Sequence, residues 1–238
     1  MSGNPVIRAD NLMVRFGGLV AVAGVSLALG SRETCCIVGP NGAGKSTFFN
    51  MLTGTVRPTS GHIFVEEREL TGMAVRHFAR HGIARKFQAP SVFPTLTVFD
   101  NLEVAQRNRG PANRRRQALH DILDLLRLAD FAERRAGDLA HGEKQWLEIG
   151  MALATEPKIL LLDEPTAGMG PEETQRTVEL LRGLAERAAV AVIEHDMEFV
   201  RALAAPTLVM HQGRIIASGS FEAVANDPTV RDVYLGRQ

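Results

Sequence analysis

No apolar run in the 238-residue chain approaches the roughly 20 residues that a bilayer-spanning helix requires. The opening MSGNPVIRAD also lacks the basic-then-apolar order of a secretory signal, so we expect a soluble, cytoplasmic chain. Cysteine is scarce. Cys35 and Cys36 are adjacent in an apolar stretch, where successive strand side chains point to opposite faces and cannot readily bridge; they read as small buried fillers in a reducing compartment. Net charge is absent too, with 27 Lys plus Arg against 27 Asp plus Glu, which excludes a general affinity for nucleic acid or acidic lipid. The one basic cluster, Arg107, Arg109, Arg114, Arg115 and Arg116, lacks aromatic stacking residues and reads as a solvated face, so no nucleic-acid partner is expected. No repeat of 20 to 50 residues and no low-complexity tail is present.

What remains is 45% hydrophobic, enough for one sizeable core. Residues 6–14 and 20–29 alternate partially around Phe16-Gly17-Gly18, which predicts two strands joined by a glycine turn, forming a small antiparallel layer with residues 61–65. Residues 34–38 form a buried-strand run ending on glycines, with a helix starting near Lys45. From about Gln88 to Pro157 the pattern is helical, with Leu119, Ile122, Leu123 and Leu126 on one stripe and Trp146, Ile149 and Leu153 on another. Gly110-Pro111 and the arginines at 114–116 mark an exposed linker. Residues 159–162 and 190–193 are further buried strands separated by a helix opening at Pro171, and strand–helix–strand predicts a parallel sheet.

The chemistry concentrates after two of those strands. Gly39-Pro40-Asn41-Gly42-Ala43-Gly44-Lys45-Ser46 fits G-x-x-x-x-G-K-[ST] between a predicted strand and a predicted helix, the context this phosphate-binding loop requires. Its backbone N–H groups wrap phosphates, Lys45 meets their charge, and the Ser46 hydroxyl can ligate Mg²⁺; Thr47 completes the expected ATP-binding set. The run 160–162 delivers Asp163 to a strand end, where a carboxylate holds Mg²⁺, and Glu164 beside it is the candidate general base.

With Leu139-Ala140-His141-Gly142-Glu143 just ahead of that strand, the chain resembles the ATPases of ABC transporters from Val6 to Leu235. The resemblance implies an α/β P-loop NTPase core with an antiparallel β layer and an inserted helical subdomain. It divides one domain, 1–238, into a core of 1–87 plus 158–238 and a helical part of 88–157. It further implies that Phe16 stacks on adenine, that Gln88 joins the Mg²⁺ site to a membrane partner, and that His195 is a switch histidine contacting γ-phosphate. On the residues alone, a core role for Phe16 is equally open. Residues 139–143 would face the P-loop of a second ATPase subunit, identical or different, across a head-to-tail pair.

This segment departs from the family's Leu-Ser-Gly-Gly-Gln at Ala140, His141 and Glu143, and Gly170 stands where many members carry aspartate. The chain's own catalytic half is intact, which motivates an asymmetric pair as a hypothesis. Gly82-Ile83-Ala84-Arg85-Lys86-Phe87-Gln88 with residues 92–98, and Val233-Tyr234-Leu235-Gly236, resemble importers of branched-chain amino acids and of urea; residues 141–151 and 194–200 are more similar to the urea-uptake ATPase. Urea is therefore the expected solute and branched-chain amino acids the alternative. Permease subunits would dock along Gln88–Glu103, unless Val92, Phe93, Leu96, Val98 and Phe99 are ordinary core, and an extracytoplasmic solute-binding protein would act indirectly. Exporters, soluble relatives acting on nucleic acid or ribosomes, and a non-hydrolysing clamp remain more distant alternatives.

Overall fold

The computed structural model describes residues 4–86, 91–106 and 111–235. In chain order the elements are β1 (Ile7–Phe16), β2 (Leu19–Leu29), β3 (Thr34–Val38), α1 (Lys45–Leu52), β4 (Ser60–Val65), β5 (Arg68–Glu69), α2 (Val75–Arg80), β6 (Ile83–Lys86), α3 (Val98–Ala105), α4 (Ala112–Leu126), α5 (His141–Leu153), β7 (Ile159–Asp163), α6 (Pro171–Leu184), β8 (Ala189–Ile193), α7 (Met197–Leu203), β9 (Thr207–His211), β10 (Arg214–Gly219), α8 (Phe221–Ala225) and α9 (Pro228–Leu235).

Two sheets result. β2, β1, β4 and β5 pair antiparallel in that order, with the β1–β2 turn at Gly17-Gly18. The other sheet runs β10-β9-β3-β8-β7-β6, parallel except for the β9–β10 hairpin at its edge. Strands β3, β7 and β8 read as continuous apolar runs because both faces of this sheet are covered. The alternation is visible in the core: Cys35, Ile37, Ile159, Leu161, Ala189 and Ala191 join α1 and the antiparallel layer, whereas Cys36, Val38, Leu160, Leu162, Val190 and Val192 join the helices on the opposite face. Cys35 and Cys36 thus point to opposite sides, buried and free as expected.

Helices α3, α4 and α5 lie in the chain between β6 and β7, which are neighbouring parallel strands. Both predicted stripes, Leu119/Ile122/Leu123/Leu126 and Trp146/Ile149/Leu153, are buried and share one cluster with the sheet's face. The arginines at 114–116 do not form a linker. They sit in the first turns of α4, where the apolar stripe that follows commits the segment to helix, and Arg116 lies over the Phe99 ring at 5.3 Å. Among the described residues, no helix is long and apolar enough to cross a membrane.

Candidate nucleotide-binding site

Because β3, β7 and β8 run parallel, whatever follows each of them emerges at one sheet edge, the usual place for a ligand crevice in an open α/β sheet. Residues 39–44 leave β3 there, Asp163 ends β7 in register with Ile193, and His195 follows β8 by two residues. The loop's close packing needs glycine. At Gly44, φ is 101° and a Cβ would meet the Ala21 carbonyl oxygen at 2.4 Å; at Gly39 a Cβ would meet that of Met210 at 2.1 Å. Gly44 also caps α1, so the helix's unsatisfied N–H groups face the loop's concavity.

Lys45 is buried, with Nζ donating to the carbonyls of Gly39 at 2.6 Å and Pro40 at 3.1 Å. Burial pulls its ammonium below the ordinary lysine range, while the Glu164 and Asp163 carboxylates oppose that shift. Ser46 and Thr47 are half-buried in the first turn of α1, and Asn41 and Gly42 are exposed. Asp163 is only 1% exposed. Its Oδ2 accepts from Arg85 Nη2 at 2.7 Å, and its Oδ1 has no hydrogen-bond partner among the described residues. An orphaned buried carboxylate oxygen fits a hydrated cation as its counterpart; the expected second ligand, Ser46, lies in the first turn of α1. Gln88, expected as a third, lies outside the described residues.

Glu164 and His195 are brought together, with Oε1 to Nδ1 at 3.5 Å. The imidazole is largely exposed, so it is free to meet a ligand. Phe16 is 51% exposed at the end of β1, which rules out the core alternative and leaves its ring accessible.

The residues of the signature segment separate. Leu139 is core and Gly142 is buried, where a Cβ would push the Glu173 carboxylate, 2.1 Å from it, out of its place. Ala140 is the N-cap of α5 and its methyl cannot accept a hydrogen bond, but Glu143 Oε2 accepts from the Ala140 N–H at 2.8 Å. The Glu143 carboxylate is thus committed to its own helix terminus, where the dipole favours it. His141 Nε2 is 2.9 Å from the Ala167 carbonyl, joining this segment to the loop after β7 within one chain.

Along 88–103 the apolar residues also divide. Val98 is core, Val92 and Phe99 pack partly against it, and Phe93 is exposed. A groove of about 490 Å³ opens beside this stretch, but its walls are chiefly Val75, Phe78, Ile83, Lys86, Glu148 and Met151, with Ser91 contributed from the expected region. Two buried ion pairs escaped the sequence reading. Arg85 reaches Asp163, and Lys86 Nζ lies 3.6 Å from Glu148 Oε2 while Ser91 N donates to Glu148 Oε1 at 2.7 Å. Charged residues inside a parallel strand were the available signal, since such positions require partners. Glu194 was also missed, a buried carboxylate next to the histidine.

A family model described as "ABC transporter" matches residues 22–167, and one described as "Branched-chain amino acid ATP-binding cassette transporter" matches 214–238. The chain is 40% identical to the high-affinity branched-chain amino acid transport ATP-binding protein LivG of Salmonella typhimurium, and 39% identical to BraF, the corresponding protein of Pseudomonas aeruginosa, with 98% of each chain covered in both comparisons. It is 30% identical to an ABC transporter's ATP-binding cassette solved in its ADP conformation, with a TM-score of 0.89 over 99% of this chain and 100% of that one. The expectation of urea finds no support here, because these relatives are named for branched-chain amino acids. The phosphate loop, the carboxylates at the end of β7 and the near end-to-end likeness lead to one statement: the chain belongs to the ABC transporter family, as an ATP-binding cassette.

Proposed function

We propose that this chain is the ATP-hydrolysing subunit of an importer of branched-chain amino acids. The observation that carries the solute class is the match of residues 214–238 to a branched-chain-specific model beyond the general cassette match, supported by the LivG and BraF likenesses.

In this reading the loop 39–44 and the start of α1 bind the ATP phosphates through backbone N–H groups, Lys45 neutralises phosphate charge, and Phe16 stacks on the base. Mg²⁺, when bound, neutralises phosphate charge, and Ser46 and Asp163, with Gln88, would hold it. Glu164 orients and deprotonates the attacking water, while His195, 3.5 Å from Glu164, donates to the γ-phosphate side of the reaction. Residues 1–87 and 158–238 act as the core, and 88–157 as the helical part that presents 139–143 to a second cassette. Permease subunits dock at the groove beside residues 88–103, which places the chain peripherally on the cytoplasmic face of a membrane; a solute-binding protein acts through them.

The test is the complete assembly in vesicles with its membrane subunits and binding protein. Leucine is expected to stimulate ATP hydrolysis, and Glu164→Gln to reduce it by about 10²- to 10⁴-fold with ATP still bound. Stimulation by urea with none by leucine overturns the solute assignment, and an unchanged rate in Glu164→Gln overturns the catalytic one.

A further inference from the structure

Glu164 sits in the left-handed backbone region, with φ of 49°, a conformation that is strained for a side chain-bearing residue and persists only where surrounding contacts enforce it. Two backbone bonds frame it: Glu164 N donates to the Ile193 carbonyl at 2.9 Å, and Ala167 N to the Glu164 carbonyl at 3.2 Å. The remaining restraint comes from another carboxylate. Glu194, 1% exposed, accepts from Thr166 N at 3.1 Å and Thr166 Oγ1 at 2.6 Å with Oε1, and from His195 N at 3.0 Å with Oε2. Its own N–H donates to the Ile37 carbonyl of β3 at 3.2 Å, so it is anchored on the strand that feeds the phosphate loop.

Charge-assisted hydrogen bonds of this kind are short and strong, and three of them on one buried carboxylate define the turn on one side and the histidine segment on the other. We infer that Glu194 is a positioning residue that fixes Glu164 relative to His195 for the hydrolytic step without taking part in nucleotide affinity. Glutamine replaces it only in part, because its carboxamide oxygen can accept from Thr166 but its NH₂ would confront the His195 N–H. Among the described residues, its hydrogen bonds go to Thr166, His195 and Ile37 and none to residues 39–47, so the consequence of losing it falls on the chemistry rather than on binding.

The inference rests on the proposed ATPase reading. It is tested by preparing Glu194→Gln, Glu194→Ala and Thr166→Val in the full chain, with Glu164→Gln alone and combined with Glu194→Ala. The readouts are kcat and KM for ATP, affinity for a non-hydrolysable ATP analogue, and Tm. The Glu194 variants are expected to lose about 10- to 100-fold in kcat, as for a small misplacement of a reacting group, with KM and analogue affinity within about twofold of wild type. In the Glu164→Gln background, Glu194→Ala is expected to reduce the residual rate by much less than in wild type, since only the His195 segment is left to position. Equal losses in both backgrounds, or weakened analogue binding with kcat retained, overturn the inference. Should Glu194→Ala fail to fold, Thr166→Val, which deletes one hydroxyl donor, still decides: a fall of about tenfold in kcat supports the inference and an unchanged kcat overturns it. Hydrolysis unchanged in Glu164→Gln overturns the catalytic role of Glu164, and this inference with it, whereas no ATP hydrolysis by the wild-type protein overturns the ATPase reading itself.

Discussion

Replacing Arg85 by methionine isolates the buried pair beneath the nucleotide site. Arg85 is nearly enclosed, with Nη2 on Asp163 at 2.7 Å, Nη1 on Asn50 Oδ1 at 2.5 Å, and the guanidinium carbon 5.7 Å from the Phe49 ring centroid. Methionine restores much of the volume but leaves Asp163 as a buried carboxylate without its hydrogen-bonded counter-charge, with only Lys45 and Lys86 acting on it at longer range and with Oδ1 already lacking a donor among the described residues. Breaking one side of such a pair costs about 3 to 5 kcal/mol, largely through the orphaned charge. At about 2 to 4 °C per kcal/mol for a chain of this size, Tm should fall by roughly 6 to 20 °C.

Urea denaturation at constant m-value checks the magnitude. Arg85→Met combined with Asp163→Asn removes the orphaned charge and should recover at least half of the loss. Saturating Mg·ATP should stabilise Arg85→Met more than wild type, because a cation then meets Asp163. A loss below about 1 kcal/mol, or a double variant no more stable than Arg85→Met, refutes the assignment of the cost to Asp163.

Burial, with the Glu194 charge as a lesser cause, pushes the Cys36 thiol up to about 12 from 9.0. The unfolded chain therefore loses this proton first, and the thiol's contribution, present below pH 9, falls by about 1.4 kcal/mol per pH unit as pH rises toward 12; the stability difference between wild type and Cys36→Ala should show that slope and be flat below pH 9. His141→Ala removes the bond to the Ala167 carbonyl from an exposed side chain, so stability should change by less than about 1 kcal/mol while amide exchange at 167–170 accelerates; unchanged exchange contradicts a tie between these segments. Ala140→Ser adds the missing N-cap acceptor to α5 and should stabilise the chain by about 0.5 to 1 kcal/mol in denaturant titration.

The elements legible in sequence are those set by short-range pattern. Residues 34–38, 159–162 and 190–193 announce buried strands by continuous apolar runs, and 39–46 carries its strand-loop-helix context within twenty residues. Strand β6 was not legible, because two of its four residues are Arg85 and Lys86, and what makes them tolerable inside a sheet is Asp163 and Glu148, 78 and 62 positions away along the chain. The β9–β10 hairpin and α8 escaped for a related reason: they complete a sheet edge and its cover, roles defined by neighbours rather than by their own periodicity. The candidate site divides likewise. Lys45, Ser46, Asp163, Glu164 and His195 are named by local motifs, but Glu194 acquires meaning only when Thr166, 28 positions earlier, folds onto it.

The same distinction bears on the altered segment 139–143. Loss of a hydroxyl at an N-cap normally costs both a helix-capping bond and a donor toward any ligand at that helix end. In this chain the two losses come apart. Glu143 closes on the Ala140 N–H and His141 on the Ala167 carbonyl, while Trp146 Nε1 donates to Thr177 Oγ1 at 3.0 Å and Arg176 stacks on the indole at 3.7 Å, so α5 is fastened to the loop after β7 and to α6. On its other side Glu148 holds Lys86 and Ser91. A helix held from both sides by buried contacts has its place in the fold set independently of residue 140. The absence of the serine hydroxyl therefore acts on what α5 offers another molecule, and only weakly on the chain's own stability.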